Sequence, residues 1–221
     1  MLISNSKKFI FIHIPKNAGQ SITNALFKFS VGKKARFASE IIGARNYIKI
    51  NTKLMQYFNF SFYDHSFKDH EKASKVKEVL GAAYPTYFKF AFVRNPWDWI
   101  FSHYTYTLKN VRHYRHSFVK NNLKNFDEYV EYECRKDMSE QYNQNKFIFD
   151  SKGNQLVDFI GKFENLQNDF QTICDQLDID SGIKHFNQSN NSSYREHFTE
   201  RSKGLVKDYY SKDIELFDYK F

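Results

Sequence analysis

A parallel α/β fold is predicted for this chain of 221 residues, and three observations predict it. Apolar runs of strand length recur along the chain, a short loop follows each run, and each loop leads into a segment with the apolar period of a helix. Strands that alternate with helices in this way build a parallel sheet with helices on its faces. The length suits one domain, which we place over residues 1–221.

The first strand is predicted over residues 9–14, where a continuous apolar run is typical of a parallel strand that is buried on both faces. Residues 15–20 then form a short loop. Apolar residues recur with helical spacing after this loop, so a helix is expected to begin near Ser21. The apolar positions of that helix are Ile22, Ala25, Leu26 and Phe29.

The second strand is predicted over residues 87–93, and Arg94 follows it directly. Asn95 suits the N-cap of the next helix, and Pro96 suits its first position because a missing N–H costs nothing there. The helix has an apolar stripe and a separate polar face. The stripe contains Trp97, Ile100, Phe101 and Tyr104, and the polar face contains Asp98, Ser102 and Thr105.

The third strand is predicted over residues 156–163 and leads into another amphipathic helix. Further helices are expected over residues 73–80, over residues 126–138 and near the C-terminal end. The basic and polar residues 109–122 are expected to form a solvated loop. The third helix is marked by Leu166, Phe170, Ile173, Cys174 and Leu177, and the last one by Val206, Tyr210, Ile214 and Phe217.

The composition indicates a globular protein with an anionic partner. Lys+Arg number 33 and Asp+Glu number 25, so the net charge of +8 favours nucleic acid, a nucleotide, an acidic glycan or a lipid surface. Cys134 and Cys174 are too few for a disulfide framework or a zinc site, and both are expected to be reduced core residues. No apolar stretch reaches the roughly 18 residues of a membrane span, and no signal-peptide pattern is present. We therefore expect a cytoplasmic protein.

The loop between the first strand and its helix has the features of an anion site. Amide N–H groups and the positive end of the helix dipole face this loop, and Lys16 adds a full charge. Phosphate is the expected ligand. The signature G-x-x-x-x-G-K-[ST] occurs nowhere in the chain, so the alternative of a metal-dependent P-loop kinase loses both its lysine and its Mg²⁺-binding hydroxyl.

Arg94 marks a second anion site, because ligands of open α/β sheets bind at the carboxyl ends of the strands. A guanidinium can bind a phosphate with two parallel hydrogen bonds. Ser102 lies two helical turns farther along. Two phosphate sites at the ends of two strands indicate a nucleotide that is phosphorylated on both its 5′ and its 3′ side.

Two sequence blocks then resemble a known family. FIHIPKNAGQS, residues 11–21, is similar to the 5′-phosphosulfate-binding motif of the sulfotransferases. FAFVRNPWD, residues 90–98, continues to Ser102 and is similar to their 3′-phosphate-binding motif. Within this family, which uses 3′-phosphoadenylyl sulfate (PAPS), the chain resembles the branch of the Golgi carbohydrate sulfotransferases and their bacterial relatives.

The resemblance implies a P-loop-like three-layer fold, in which helices flank a central parallel sheet. It also implies that Arg94 and Ser102 bind the 3′-phosphate and that a carbohydrate hydroxyl is the acceptor. No metal is implied. The residues that the resemblance implies for binding the 5′-phosphosulfate are Lys16, Asn17, Ala18, Gly19, Gln20 and Ser21.

The similarity continues to the end of the chain. VDFIGKFENL, residues 157–166, and DIELFDY, residues 213–219, resemble later blocks of the same branch. Residues 187–189, together with Tyr194 and Arg195, resemble a C-terminal loop that covers the nucleotide. The chain also departs from the pattern: Asn17 and Gln20 replace threonines of the family, and Trp99 replaces a frequent arginine.

Sulfuryl transfer requires a base for the acceptor hydroxyl and positive charge on the departing phosphate, by analogy with phosphoryl transfer. Lys16 is the candidate for the positive charge. The family places its histidine just before the helix that precedes the Arg94 strand, which implies His70 as the base and leaves His65 as the second candidate.

An RNA-binding module is a different alternative, because residues 90–93 share aromatic and apolar positions with an RNP1 strand. RNP1 requires a basic residue and a glycine before this core, whereas the chain has Phe88 and Lys89 there. We therefore expect no nucleic-acid partner. A basic RNA-binding module would have RNA affinity that falls steeply with salt, and a kinase would need ATP and Mg²⁺.

Overall fold

A computed structural model describes residues 1–30, 46, 50, 67, 69–135, 143–183 and 194–221. At its centre lies a sheet of four strands that are ordered as they occur in the chain. The parallel arrangement of the three predicted strands is confirmed. An additional strand at the start of the chain, which the sequence did not predict, runs antiparallel at the edge. The strands are β1 Leu2–Ser4, β2 Phe9–Ile12, β3 Phe88–Val93 and β4 Phe159–Lys162.

The strand register brings the predicted site loops to the same edge of the sheet. Ile12 near the end of β2 pairs with Ala91 of β3, and Val93 at the end of β3 pairs with Lys162 of β4. Because the three strands are parallel, the loops that follow them emerge side by side.

Helices follow the strands as the apolar periods predict. The helix that follows β2 and the helix that follows β3 begin close to their predicted positions. The helices are α1 Gly19–Ser30, α2 Ala73–Leu80, α3 Pro96–Lys109, α4 His116–Asn122, α5 Phe126–Cys134, α6 Asn145–Ile148, α7 Leu166–Gln176, α8 Glu200–Tyr209 and α9 Ser211–Leu216.

Alternating residues of the strands supply two separate cores, as the period of a strand requires. Phe11 and Phe90 pack under α1 and α7 on one face of the sheet. Ile12 and Ala91 pack on the other face, against α2, α6 and the segment that follows α9. This arrangement confirms the predicted sheet with helices on both faces.

A third core forms away from the sheet, where α3, α4, α5 and α8 pack together. Trp97 and Ile100 of the predicted stripe of α3 are buried in it. Trp99 is buried as well, so α3 is apolar around more of its circumference than its sequence period indicated. The helix therefore connects this lobe to the loop after β3.

The structure corrects several boundaries. The strand predicted over residues 9–14 ends at Ile12. α1 begins at Gly19, two residues before the predicted start. Only Phe159–Lys162 of the predicted third strand pairs with a neighbour. α5 runs over Phe126–Cys134, and the predicted end at residue 138 lies outside the described residues. The C-terminal stripe forms two helices, because the backbone turns at Tyr210.

The prediction of a solvated loop over residues 109–122 is partly wrong, since α4 occupies its second half. Val119 is buried in the third core, and Arg115 is buried with Nη1 donating to Glu133 at 2.7 Å. A single apolar residue and an ion pair to a distant helix therefore order a segment whose composition is polar.

Both cysteines have free thiols, with Cys174 buried and Cys134 partly buried. Over the described ranges, no helix has both the length and the apolar character of a membrane span.

Candidate active site

The loop between β2 and α1 curls through two residues with left-handed backbone conformation. Lys16 has φ 66° and Ala18 has φ 58°, a region that non-glycine residues adopt infrequently. The first bond within the helix runs from the Ile22 N–H to the Ala18 carbonyl at 3.1 Å. The amides before Ile22 therefore lie at the open N-terminal end of α1, as an anion site requires.

Gly19 is required by the close approach of His13. A Cβ atom on Gly19 would lie 1.6 Å from Nε2 of His13, which no side chain could tolerate without moving this ring. The ring also stacks on Phe11, with centroids 5.6 Å apart. Burial lowers the pKa of His13 well below its ordinary value, so His13 is a neutral packing residue.

Trp99 holds the backbone of this loop from α3. Its indole Nε1 donates to the carbonyl of Pro15 at 2.8 Å. The position at which the family often has an arginine thus still contacts the loop, through a neutral donor. The first turn of α1 completes the loop, with Ser21 buried and Gln20 exposed.

The side chain of Asn17 is directed at the neighbouring strand. Nδ2 donates to the Phe92 carbonyl at 2.8 Å and to Oε1 of Gln144 at 2.6 Å. Asn17 is buried, and its Oδ1 has no hydrogen-bond partner among the described residues. The side chain of Asn17 therefore connects the loop to β3, and contact with a 5′-phosphosulfate remains a prediction for the backbone of this loop.

Gln144 is the residue that sequence reasoning missed. Its Oε1 also accepts from the Arg94 N–H at 2.8 Å, and its Nε2 donates to the Arg94 carbonyl at 2.7 Å. The carboxylate of Asp213 accepts from the Gln144 N–H at 2.7 Å and from the N–H of Asn145 at 2.9 Å. Asp213 lies in the sequence block over residues 213–219, which was the one available signal; no local pattern marks Gln144.

The guanidinium of Arg94 is held from several sides. Nε and Nη2 donate to the Asp98 carboxylate at 2.8 and 2.9 Å, and Nη1 donates to the Lys16 carbonyl at 3.1 Å. Its face lies on the ring of Phe163, with 3.9 Å between Cζ and the ring centroid. A guanidinium has five N–H donors, and the described residues engage three of them. Two donors are thus left for an anion.

Lys16 extends from the loop to the outer part of α3. Its Nζ lies 3.9 Å from the ring centroid of Tyr106. Burial, reinforced by the positive charge of Arg94, lowers the pKa of Lys16 to about 8. The two predicted phosphate-binding cations are therefore neighbours, and the charge of Arg94 disfavours the charged form of Lys16.

Ser102 lies on α3 one turn beyond Asp98, on the polar face that the sequence predicted. Asn95 caps this helix by accepting from the Trp97 N–H at 3.1 Å. The N–H of Asn95 donates to Glu164 at 2.6 Å, which fixes the start of α3 against the turn after β4. The cap thus sets the direction in which Ser102 is presented.

Tyr194 and Arg195 begin a 3-10 turn, Tyr194–His197. The Arg195 guanidinium lies over the Tyr194 ring, 4.7 Å from its centroid. Burial raises the pKa of the Tyr194 hydroxyl, and the nearby charges of Asp98 and Arg94 act on it as well. The structure therefore places Tyr194 beside the Arg94 pair, and its contact with a nucleotide stays a prediction.

His70 is held by the end of β2. Its Nδ1 lies 3.0 Å from the carbonyl of His13. A carbonyl only accepts hydrogen bonds, so Nδ1 carries the proton and Nε2 has the lone pair that a base needs. The residue is exposed as a whole, but its ring lies edge-on to that of His13 at 4.4 Å, and burial of the ring lowers the pKa of His70. His65 and residues 187–189 lie outside the described residues.

The structure brings most of the predicted site residues to one edge of the sheet. The guanidinium of Arg94 bonds to the loop with Lys16, and His70 is anchored three residues before Lys16. The turn with Tyr194 lies close enough for the charge of Arg94 to act on the Tyr194 hydroxyl. In the portions of the chain that the structure describes, no group of three or more metal-ligating side chains occurs. The arrangement can bind two anionic groups and supply a neutral imidazole.

Comparison of the chain with known protein families agrees with the family resemblance of its motifs. A family model described as the sulfotransferase family matches residues 1–220. A search of curated proteins found no match.

Proposed function

The chain belongs to the sulfotransferase family, and from this membership we propose that it transfers a sulfuryl group from PAPS to a hydroxyl group of a carbohydrate. The match over residues 1–220 also supports the proposal that one domain spans the chain. A carbohydrate acceptor is supported by the resemblance of the motifs to the carbohydrate branch.

One contact supports this proposal best: Arg94 Nη1 donates to the Lys16 carbonyl at 3.1 Å. It places the predicted 3′-phosphate cation directly beside the predicted 5′-phosphosulfate loop. A nucleotide with phosphates on both sides of its ribose would engage both cations at once. Charge-assisted hydrogen bonds to a guanidinium are worth about 1.5–3 kcal/mol, so this arrangement favours a bisphosphate over a monophosphate.

In the proposed reaction the acceptor oxygen attacks the sulfur of PAPS in line with the bond that breaks. The new bond joins the acceptor oxygen to sulfur, and the broken bond joins sulfur to the bridging phosphate oxygen. The electron pair of that bond leaves with adenosine 3′,5′-bisphosphate. The Lys16 ammonium and the amides of the loop stabilise the negative charge on this leaving group.

The acceptor proton goes to Nε2 of His70. The His13 carbonyl holds the proton of the neutral ring on Nδ1, so the lone pair of that ring lies on Nε2. The lowered pKa of His70 keeps the ring neutral near neutral pH, which is the form that a base must have.

Ligand binding tests the donor. In a thermal-shift titration without metal, adenosine 3′,5′-bisphosphate should stabilise the protein more than 5′-AMP or ATP does, because a ligand stabilises the state it binds. Arg94→Ala should abolish most of the difference between the bisphosphate and 5′-AMP. Equal stabilisation of the unaltered protein by ATP would contradict the proposal and favour a kinase.

Incubation with radiolabelled PAPS and a panel of saccharide, lipid and phenolic acceptors tests the reaction. We expect label on a saccharide hydroxyl. Label only on a phenol or a lipid would overturn the carbohydrate acceptor and leave sulfuryl transfer itself standing. Steeply salt-dependent RNA binding without preference for the bisphosphate would support the RNA-binding alternative.

A further inference from the structure

One face of α3 contacts the loop between β2 and α1 at two places. Trp99, His103 and Tyr106 follow one another at i, i+4 and i+7, so they lie along one side of the helix. Trp99 donates to the Pro15 carbonyl, and the Tyr106 ring lies 3.9 Å from Nζ of Lys16. One end of this face therefore holds the backbone of the loop, and the other end contacts its lysine.

His103 lies between these two contacts and carries no charge. Its ring stacks on Trp99 with centroids 5.2 Å apart, and Nδ1 lies 2.5 Å from the Tyr129 hydroxyl. Burial lowers the pKa of His103 to about 3, and the nearby cations Arg115 and Lys16 contribute. A protonated imidazole in this place would repel the Lys16 ammonium, whereas the neutral ring leaves the contact with Tyr106 intact.

We propose that Tyr106 is a positioning residue, whose ring holds the Lys16 ammonium in place for the 5′-phosphosulfate. A free lysine side chain has many rotamers, and ordering it costs conformational entropy. The face of an aromatic ring attracts an ammonium, so the ring restricts those rotamers before the donor binds. This proposal rests on the proposed function, because it gives Lys16 its task.

Tyr106 is itself oriented by neighbouring side chains. Nδ2 of Asn110 donates to its hydroxyl at 3.0 Å, and the His113 ring meets it edge-on at 5.7 Å. These contacts fix the ring, while the residue remains 42% exposed at the surface of α3. Its replacement should therefore leave the folded structure intact.

Tyr106→Leu removes the ring, and Tyr106→Phe keeps it. A cation–π contact corresponds to a factor of about 2 to 30, so Tyr106→Leu should lower kcat by that factor with the KM for PAPS changed less than about twofold. Tyr106→Phe should retain most of the turnover. Tyr132→Leu is the matched control, because this ring packs on Phe118 of α4 and not on Lys16, and its kcat should match that of the unaltered protein.

A double-mutant cycle with Lys16→Ala tests whether the effect passes through the lysine. Once Lys16 is absent, Tyr106→Leu should cause no further loss of turnover. An equal loss in both backgrounds would overturn the proposal, because Tyr106 would then act on another group.

Acetylation of the protein alone provides a readout that does not need turnover. At low concentrations of acetic anhydride, mass spectrometry of the Lys16 peptide should detect faster acetylation in Tyr106→Leu than in Tyr106→Phe. Equal rates would overturn the contact. If the unaltered protein transfers no label from PAPS, the proposed function fails, and the acetylation rates still decide the contact. If Lys16→Ala keeps full turnover, the role of Lys16 fails together with this inference, and sulfuryl transfer itself stands. If Lys16→Ala is inactive and Tyr106→Leu is normal, only the positioning role fails.

Discussion

At the scale of single residues, the two proposed catalytic groups work in opposite protonation states. Lys16 must carry its proton to stabilise the leaving group, and its pKa of about 8 means that the charge is lost above this pH. His70 must be neutral. Its pKa lies below 6.5, so as the pH rises the ring has already lost its charge before pH 6.5 is reached. kcat/KM should therefore rise with pH through a limb below 6.5 and fall through a limb near 8.

A rate measurement from pH 5 to pH 10 with Lys16→Arg as the comparison checks the assignment. An arginine stays charged throughout this range, so the alkaline limb should disappear even if the absolute rate falls. An alkaline limb that persists in Lys16→Arg belongs to another group. A bound donor favours the charged lysine, so the same limb should lie at higher pH in kcat than in kcat/KM.

His70 and His65 are separated by a pair of substitutions. His70→Ala should lower turnover roughly a hundredfold to ten-thousandfold, the range that a general base supplies, while affinity for adenosine 3′,5′-bisphosphate stays near normal. His65→Ala should lose much less. The reverse order would identify His65 as the base. Normal turnover in both variants would show that another group accepts the proton of the acceptor hydroxyl.

At the scale of elements, Gln144 connects the loop after β2 to the end of β3. Its Oε1 accepts from both sides and its Nε2 donates to the Arg94 carbonyl. Gln144→Glu keeps the accepting oxygen Oε1 and replaces the donating nitrogen Nε2 with the second oxygen of a carboxyl group. A protonated carboxyl can still donate to the Arg94 carbonyl, whereas a carboxylate cannot.

Burial should raise the pKa of the new carboxyl above its value in the unfolded chain. A group with a raised folded pKa stabilises the protein below its unfolded pKa and loses that contribution as pH rises through the folded value. The Tm of Gln144→Glu should therefore fall with increasing pH relative to the unaltered protein. An unsatisfied buried group costs about 1–3 kcal/mol, or about 2–12 °C in a chain of this length. A difference in Tm that does not change with pH would contradict this prediction, because the carboxyl would then keep one protonation state at every pH measured.

Elements with local signals were the ones that the sequence predicted well. β2, β3, α1 and α3 each combine an apolar period with a cap or a loop of characteristic composition. β1 has only three residues, which are too few for a recognisable apolar period, and it forms by pairing with β2. α4 depends on Arg115 reaching Glu133, a partner 18 positions away.

At the scale of the whole molecule, the candidate site depends on contacts between distant parts of the chain. Gln144 is 127 positions from Asn17 and 50 from Arg94, so no spacing in the sequence could have joined them. The motifs predicted where the cations lie because Arg94 follows β3 directly and Lys16 lies in the short loop after β2. They could not predict that the Asn17 side chain faces β3, because this direction depends on Gln144 and on Asp213 behind it.

The three cores also explain why one helix is so strongly constrained. α3 packs in the helical lobe through Ile100, and its N-terminal end is bonded to Glu164 beside β4. Its face with Trp99 contacts the loop after β2. A shift of α3 would therefore disturb the helical lobe and the contacts at the edge of the sheet together.

Because Trp99 donates to the Pro15 carbonyl, intrinsic tryptophan fluorescence should report on the loop between β2 and α1. The chain has two tryptophans, Trp97 and Trp99, and both lie in the first turn of α3. Ultraviolet emission at tryptophan wavelengths thus originates in this turn, where Trp99 donates to the loop between β2 and α1 and Trp97 donates to the Lys203 carbonyl. A cationic imidazole would quench a stacked indole, but His103 stays neutral above about pH 3, so its contribution to this light is constant across the working range. Titration with adenosine 3′,5′-bisphosphate should change the emission of the unaltered chain and of Trp97→Phe alike, and a change confined to the unaltered chain would assign the signal to Trp97.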